Sequence, residues 1–546
     1  MIFEMARGRR KLLLTRPRRF GKSLLVSTLA TLFQNGLRDF EGLAIEKLWR
    51  DTTYTVFAWD FSVIVDFDSV ETFREKFYSM LTHALAGHGF VWSGSVNSFS
   101  YEFGEWLGGF ANTSVVVLID EYDTPLTSVL HDKTLFLGIQ KIMSEFFMIL
   151  KSREACLRFL FITGVTRLSN TSIFSGFNNL TDISLRSDYG TLLGYTESEL
   201  EAYFGVFLDD AAHRMNLSRE ALLNEMRAHY DGFSFDKEAR THVYCPWSVL
   251  NFLGESEAGG GGLGNFWFVS GGQGRVLMNY LALRKLKKPL DFLETVTMDA
   301  SQLMSSAPYD ELDADVLLLQ TGYLTIRSVD EAGGLVLGYP NKEVAASMAL
   351  LYAKVMTKDE QFTALRLLTH LLRGDAQQVM AFLNLVFRSL DYQNYAIRDE
   401  ASLQGCVQVL MIGLSLRPQV EVHTSAGRSD LEVEAGSNHW VFEFKFARSG
   451  VDPHVLCREA VSQIRRRAYG ETPEEYLCRM ETLHELMAVL DTCTEAQRRR
   501  FLLYALDGLS LAEIGVLCGC SKVAVYQSVE AVRKKFINFF ENRLNE

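Results

Sequence analysis

Two short apolar runs, each ending in charged residues, constrain this chain more than anything else in it. Leu12-Leu-Leu14 passes through Thr15-Arg-Pro-Arg-Arg-Phe20 into Gly21-Lys22-Ser23, and Val115-Val-Val-Leu-Ile119 ends in Asp120-Glu121. An apolar strand that enters a helix through Gly-Lys-Ser gathers free backbone N–H groups, an amine and a hydroxyl at one helix N-terminus, an arrangement that receives phosphate. An apolar strand ending in adjacent carboxylates offers one ligand for Mg2+ and one base for water. Thr55–Trp59 and Phe159–Ile162 repeat the pattern of a strand buried on both faces. Such strands predict a parallel sheet covered by helices, the first being Ser23–Phe33.

The chain has 546 residues, so it is long for one core, and about three or four units are expected from typical domain sizes. Its apolar fraction of 48% describes a globular protein. No segment approaches the ~18 uncharged apolar residues of a membrane helix. Arg7, Arg9 and Arg10 near the start are not followed by an apolar stretch and a small-residue cleavage site, so no secretory signal and no membrane partner are expected. The eight cysteines are scattered, and the close pair Cys518 and Cys520 lacks zinc-ligand spacing, which predicts reduced thiols in a cytoplasmic protein. A formal net charge of −12 excludes indiscriminate nucleic-acid coating and leaves room for local basic clusters.

The pattern predicts an α/β domain over 1–205, within which the chain turns helical at a capping box at Thr196, and a mostly helical extension over 206–358 that passes the glycine run Gly259–Gly262, read as a loop. A smaller α/β domain follows over 359–470. In it a helix from Glu400 leads to strand-like Val420–Val422, Asp430–Val433 and Trp440–Phe446, then to a helix over Glu459–Tyr469. An all-α module over 471–546 carries Arg498-Arg-Arg500 and Arg533-Lys-Lys535.

Each candidate site residue has a role set by its chemistry. Gly21 opens the helix, Lys22 neutralises phosphate charge, Ser23 holds Mg2+ through its hydroxyl, Asp120 binds the metal through water and Glu121 polarises the attacking water. Thr163 and Arg167, at the end of the next buried strand, read either as sensors of the terminal phosphate or as a structural turn. Asp123 reads as a turn residue before Pro125. The glycine usual five positions before Gly-Lys is here Arg16, so the loop entry departs from the common cradle. Farther on, Asp430 and, on the next strand, Glu443 and Lys445 form a second constellation, with Phe442, Phe444 and Phe446 on the opposite side by the period of two. Asp430 and Glu443, with Glu400 completing the shell, would hold Mg2+, and Lys445 would position a hydroxide against a phosphodiester. An exposed salt-bridged strand face is the other reading of the same residues.

Leu509–Ser528 has the spacing of a helix-turn-helix. Ile514, Val525 and Val529 fill its interior, Gly515 lets the helices approach, Gly519 makes the turn and Ser521 caps the second helix. Lys522, Ala524, Tyr526 and Gln527 would then meet base edges, and Arg533, Lys534 and Lys535 the phosphates. A small trihelical packing unit is the alternative.

Thr15–Ser23, Leu118–Pro125, Ile162–Val165 with Ser172–Asn179, Tyr230–Phe233, Tyr244–Ser248, Gln320–Thr325 and Tyr339–Val344 occur in order. Together they resemble the bacterial AAA-ATPase-like proteins with a C-terminal PD-(D/E)XK nuclease-like domain, over roughly residues 1–470, with Gln463 and Tyr469 in the matching final helix. From Thr494-Glu-Ala-Gln-Arg498 onward the chain resembles the last, promoter-reading domain of sigma factors. The resemblance implies a P-loop ATPase joined to a nuclease fold, using ATP and Mg2+, with DNA as partner; a homo-oligomer is left open. Family members carry several tens of residues before the phosphate-loop strand and a further strand after the position of Tyr469, and both departures bear on activity. A non-catalytic, nucleotide-switched DNA-binding regulator and an inactive fusion product stand beside the enzyme reading.

Overall fold

The computed structural model describes residues 1–167, 173–174, 179–257, 262–267, 295–303, 313–357, 364–390, 395–424, 427–447, 452–467, 487–505 and 509–544. They fall into two compact units, one of Met1–Pro418 with Glu434–Asn438, the other of Gln419–Val433 with His439–Glu546.

The first unit is built on five parallel strands: β1 (Arg10–Thr15), β2 (Thr55–Asp60), β3 (Val115–Asp120), β4 (Leu157–Gly164) and the short β5 (Thr181–Asp182), in the order β2-β3-β4-β1-β5. All of β3 and β4 is buried, as apolar runs without alternation require. One face takes Leu12, Leu14, Val116, Leu118, Phe159 and Phe161, and the helix Lys22–Asn35 lays Leu25, Leu29, Leu32 and Phe33 against them. The other face is aromatic. Phe57, Trp59, Phe61, Phe77, Phe103 and Phe146 meet edge to face or offset there, bringing in the helices Val70–Ala86, Phe99–Gly108 and Lys133–Ser152. Each such ring, fully buried, contributes about 1.5–3 kcal/mol over exposure.

The helix Glu197–Arg214 starts at the expected capping box of Thr196 and Glu199. It packs with Arg219–Tyr230 and Pro246–Glu257 around Leu200, Leu208, Leu222, Met226 and Phe252. Of the glycine run Gly259–Gly262, only Gly262 lies within the described residues. A small antiparallel sheet follows, β6 (Val296–Met298), β7 (Thr325–Val329) and β8 (Leu335–Gly338), with β8 in the middle. The helices Lys342–Thr357, Leu365–Leu372, Ala376–Ser389 and Glu400–Gly413 complete the unit.

The second unit holds most of a three-stranded sheet, β9 (Gln419–Thr424), β10 (Gly427–Ala435) and β11 (Asn438–Phe442), with β10 central. The last of these differs from expectation: β11 ends at Phe442, so Glu443 and Lys445 lie just past its end. The helices Pro453–Arg467, Glu495–Ala505, Leu511–Leu517 and Lys522–Leu544 follow. Tyr469 lies outside the described residues. No helix among the described residues is long and apolar enough to cross a membrane, and the described cysteines are free thiols.

Candidate functional site

Parallel strands deliver their C-terminal ends to one edge, and β4 separates β1 from β3 there. Gly21, in the left-handed region at φ 80°, caps the helix Lys22–Asn35. The Lys22 Nζ, almost fully buried, lies 3.2 Å from Glu121 Oε1 and 3.2 Å from the Pro17 carbonyl. Ser23 hydrogen-bonds the Asp120 side chain. The two strings read from the sequence therefore meet.

Burial raises the Asp120 pKa; the Ser23 bond and Lys22 oppose this, and the charges of Glu121 and Asp60 add to it. Glu121 sits at φ 51°, its N–H bonded to Asp120 Oδ1 at 3.0 Å and its Oε2 accepting from the Thr124 hydroxyl at 3.2 Å. Among the described residues no three His, Cys, Asp or Glu side chains gather to hold a metal by themselves. The donor set is instead one hydroxyl and crowded carboxylates, hard oxygens whose concentrated charge suits Mg2+ completed by phosphate and water.

Thr163 is fully buried on β4, opposite Leu14, and its hydroxyl has no hydrogen-bond partner among the described residues. Arg167 is committed elsewhere: its Nε is 3.2 Å from Asp182 on β5, and its N–H donates to Gln320 Oε1 at 2.9 Å. Asp123, read from the sequence as a turn residue, does more. Its fully buried carboxylate accepts from the N–H groups of Val165 and Thr166 and from the Thr166 hydroxyl, tying the exit of β3 to the exit of β4. Burial, with Glu121 adding, raises its pKa against those bonds.

The loop before Gly21 keeps its shape without the usual glycine. Arg16 points inward, 1% exposed, and donates to the carbonyls of Thr15, Ser184, Leu192 and Tyr189, with Phe235 4.1 Å below the guanidinium. Burial, then the nearby Arg167, lowers its pKa to about 9. Phe20 inserts between Phe233 and Phe235. Arg19, at φ 71°, stacks 3.8 Å over Trp247. A Cβ on Gly322 would lie 2.7 Å from Pro17, so only glycine lets that segment touch the loop. Apart from the Arg16 carbonyls at Thr15 and over 184–192, these partners come from Tyr230–Phe233 and its continuation, Tyr244–Ser248 and Gln320–Thr325, which form the far wall of the phosphate loop.

In the second unit, Lys445 Nζ is 2.6 Å from Glu443 Oε1, with the glutamate side chain 1% exposed. The Asp430 carboxylate accepts the Phe444 N–H at 2.7 Å, which seats it on the backbone between Glu443 and Lys445. Trp440, Phe442 and Phe444 stack in a row, as alternation requires. The sequence reading missed Glu432, which is held by the Ser429 hydroxyl at 2.6 Å and lies 3.0 Å from His439 Nε2. Two carboxylates and an amine here fit a divalent ion shared with a phosphodiester. Glu400 opens the helix Glu400–Gly413 in the first unit.

Near the C-terminus, Ile514, Val525 and Val529 form a core. A Cβ on Gly515 would lie 2.9 Å from the Cys520 carbonyl, Gly519 turns at φ 62°, and Ser521 caps the last helix through the Ala524 N–H. Lys522, Tyr526, Gln527, Arg533 and Lys534 are exposed, with Arg533 3.2 Å from Glu530. Lys535 instead donates to the Thr492 carbonyl, and Arg500 to the Ser528 hydroxyl, so these two basic groups hold the module together.

Residues 1–174 match the predicted AAA-ATPase family, 398–495 the PD-(D/E)XK nuclease superfamily and 483–536 sigma-70 region 4. The chain is 31% identical over 494 residues, 87% of its own length and 88% of the other's, to an uncharacterized protein in the vnfD 5′ region of Azotobacter chroococcum mcd 1.

Proposed function

Since the chain belongs to the predicted AAA-ATPase family and carries a nuclease-superfamily and a sigma-70 region 4 module, we propose that it binds and hydrolyses ATP and couples this to a Mg2+-dependent nuclease-like domain acting on DNA. One observation carries the reading: Lys22 pairs with Glu121 while the adjacent Ser23 bonds the adjacent Asp120. Magnesium held by Ser23 and Asp120 would neutralise charge on the phosphates.

Lys22, already nearly dry, would exchange Glu121 for a phosphate oxygen, a charge-assisted bond made stronger by the low local dielectric. That exchange frees Glu121 to accept a hydrogen bond from the attacking water. Thr163, with an unmet hydroxyl at the same sheet edge, would take up a bond from that water or the terminal phosphate. In the second unit Asp430 and Glu443 would hold the metal and Lys445 would orient the hydroxide, while Ser521, Lys522, Tyr526, Gln527, Arg533 and Lys534 meet DNA.

The test uses the full chain with Mg2+ and ATP. Lys22→Ala is expected to abolish nucleotide binding, whereas Glu121→Gln keeps binding and loses about 10²–10³-fold in turnover. Full binding by Lys22→Ala would remove the lysine from the site. On single- and double-stranded DNA, metal-dependent cutting that ignores Glu443→Ala would exclude the second site.

A further inference from the structure

We infer that Arg18 is a catalytic arginine supplied by the phosphate loop itself, bonding the γ-phosphoryl oxygens of a bound nucleoside triphosphate as they gain charge during hydrolysis. The inference rests on the nucleotide-site reading above and extends it to a group that neither the motif spacing nor the family match singles out.

The argument begins from what the other loop side chains do. Arg16 is buried among four carbonyls, Pro17 lies against Gly322, Arg19 stacks on Trp247, Phe20 is clasped by Phe233 and Phe235, and Lys22 is bonded to Pro17 and Glu121. Arg18 alone is a half-buried cation with no hydrogen bond or ion pair among the described residues. Its five N–H donors, not engaged by any described residue, can turn to an anion arriving with the ligand without breaking an existing bond.

Its place limits which anion. Arg18 lies near enough to the buried Tyr323 hydroxyl and to Arg19 for its charge to act on both. Tyr323 belongs to the segment whose Gly322 touches Pro17 and whose Gln320 accepts the Arg167 N–H just past β4. That segment therefore spans from the loop to the end of β4, the strand that carries the unpartnered Thr163 hydroxyl. Two groups with unmet hydrogen-bonding capacity, one cationic and one neutral, thus belong to the loop and strand that border the terminal phosphate.

In the reaction the water oxygen bonds to the γ-phosphorus as the bond from that phosphorus to the bridging oxygen breaks. The electron pair leaves with the β-phosphate of ADP, and the water proton passes through Glu121 to solvent. Arg18 keeps its proton and donates hydrogen bonds only. Charge builds on the phosphoryl oxygens in this step, where an arginine acts most strongly.

The experiment compares the full-length wild type, Arg18→Ala, Arg18→Lys and Lys22→Ala for affinity toward ADP alone and ADP with aluminium fluoride, which stands in for the transferring phosphoryl group, and for turnover at several protein concentrations. Arg18→Ala is expected to bind ADP within about threefold of wild type, to lose the fluoride-dependent tightening, and to turn over about 10³-fold more slowly. Arg18→Lys should recover part of the turnover, a point charge replacing a planar fork. Wild-type activity per chain should not change on dilution, because the arginine comes from the same chain. Undiminished tightening in Arg18→Ala, an equal loss for ADP and its fluoride complex, or activity that vanishes on dilution would overturn the assignment. If the wild type binds no nucleotide, as Lys22→Ala should not, the whole nucleotide reading fails; wild-type binding with an indifferent Arg18→Ala removes only this residue.

Discussion

Glu343 gives a quantitative test of the packing behind the phosphate loop. Its fully buried carboxylate accepts from the Ser248 hydroxyl at 2.8 Å and from the N–H groups of Trp267 at 2.8 Å and Phe266. Even so, burial wins over those bonds and raises its pKa from 4.5 to about 7. At about 1.4 kcal/mol per pH unit, a displacement of that size means that ionised Glu343 costs the folded chain about 3 kcal/mol more than the neutral acid does. Because the folded pKa is the raised one, this stability is complete below pH 4.5 and is lost as pH rises through 7. Glu343→Gln keeps a carbonyl for both amides and an amide for the Ser248 oxygen without ever ionising. Calorimetric melting should therefore find the two proteins alike near about pH 4.5 and the glutamine variant more stable by about 3 kcal/mol near about pH 8.5. Subtracting the two curves cancels Asp120, Asp123 and Asp231, whose pKa values burial also raises. Parallel curves, or a glutamine variant that is the weaker one at alkaline pH, would refute the reasoning.

Arg16→Gly, which restores the residue common at this loop position, should destabilise the first unit by about 3–5 kcal/mol and lower nucleotide affinity, because four buried carbonyls lose their donor; chemical denaturation and nucleotide titration read both. Gly322→Ala puts a methyl 2.7 Å from Pro17 at a backbone φ of +85°, so nucleotide affinity should fall although residue 322 touches no phosphate; calorimetric titration checks it. Lys534→Ala, which removes an exposed cation assigned to the phosphates, should weaken DNA binding and flatten the log–log salt dependence by about 0.9, measured by fluorescence anisotropy across a salt series.

Much of the fold was legible because it depends on runs and periods. The strands at Leu12–Leu14, Thr55–Trp59, Val115–Ile119 and Phe159–Ile162 are apolar on both sides, and a sequence shows that directly. The C-terminal module was equally open, since Gly515, Gly519, Ser521 and the interior Ile514, Val525 and Val529 are fixed by local geometry. Partnerships between distant segments were not. Nothing in the spacing says that Arg16 turns inward to carbonyls at 184–192, or that Asp123 binds the exit of β4 rather than only its own turn. The end of β11 was missed because period-two alternation continues through Glu443 and Lys445 while the ladder stops at Phe442. His439 and Glu432 lay in plain view, but with no spacing signal to join them.

The substitution of Arg16 for glycine shows what such a loop requires. A glycine-rich phosphate loop is shaped by backbone freedom, so its form is largely a local property. Here, besides the local bonds of Lys22 to the Pro17 carbonyl and of Arg16 to that of Thr15, the anchored side chains of the loop take partners from outside it: the turns after β5 for Arg16, Phe233 and Phe235 for Phe20, Trp247 for Arg19 and Gly322 for Pro17. The loop's geometry is then set by the segments it touches, and any ligand that moves the loop must also move them. Linkage makes this reciprocal: a change that favours the bound arrangement of those segments over their free one raises nucleotide affinity by that same difference in free energy. That is why Gly322→Ala and Arg16→Gly, neither of which changes a group that binds phosphate, are expected to act on affinity, and why the two should be less than additive when combined.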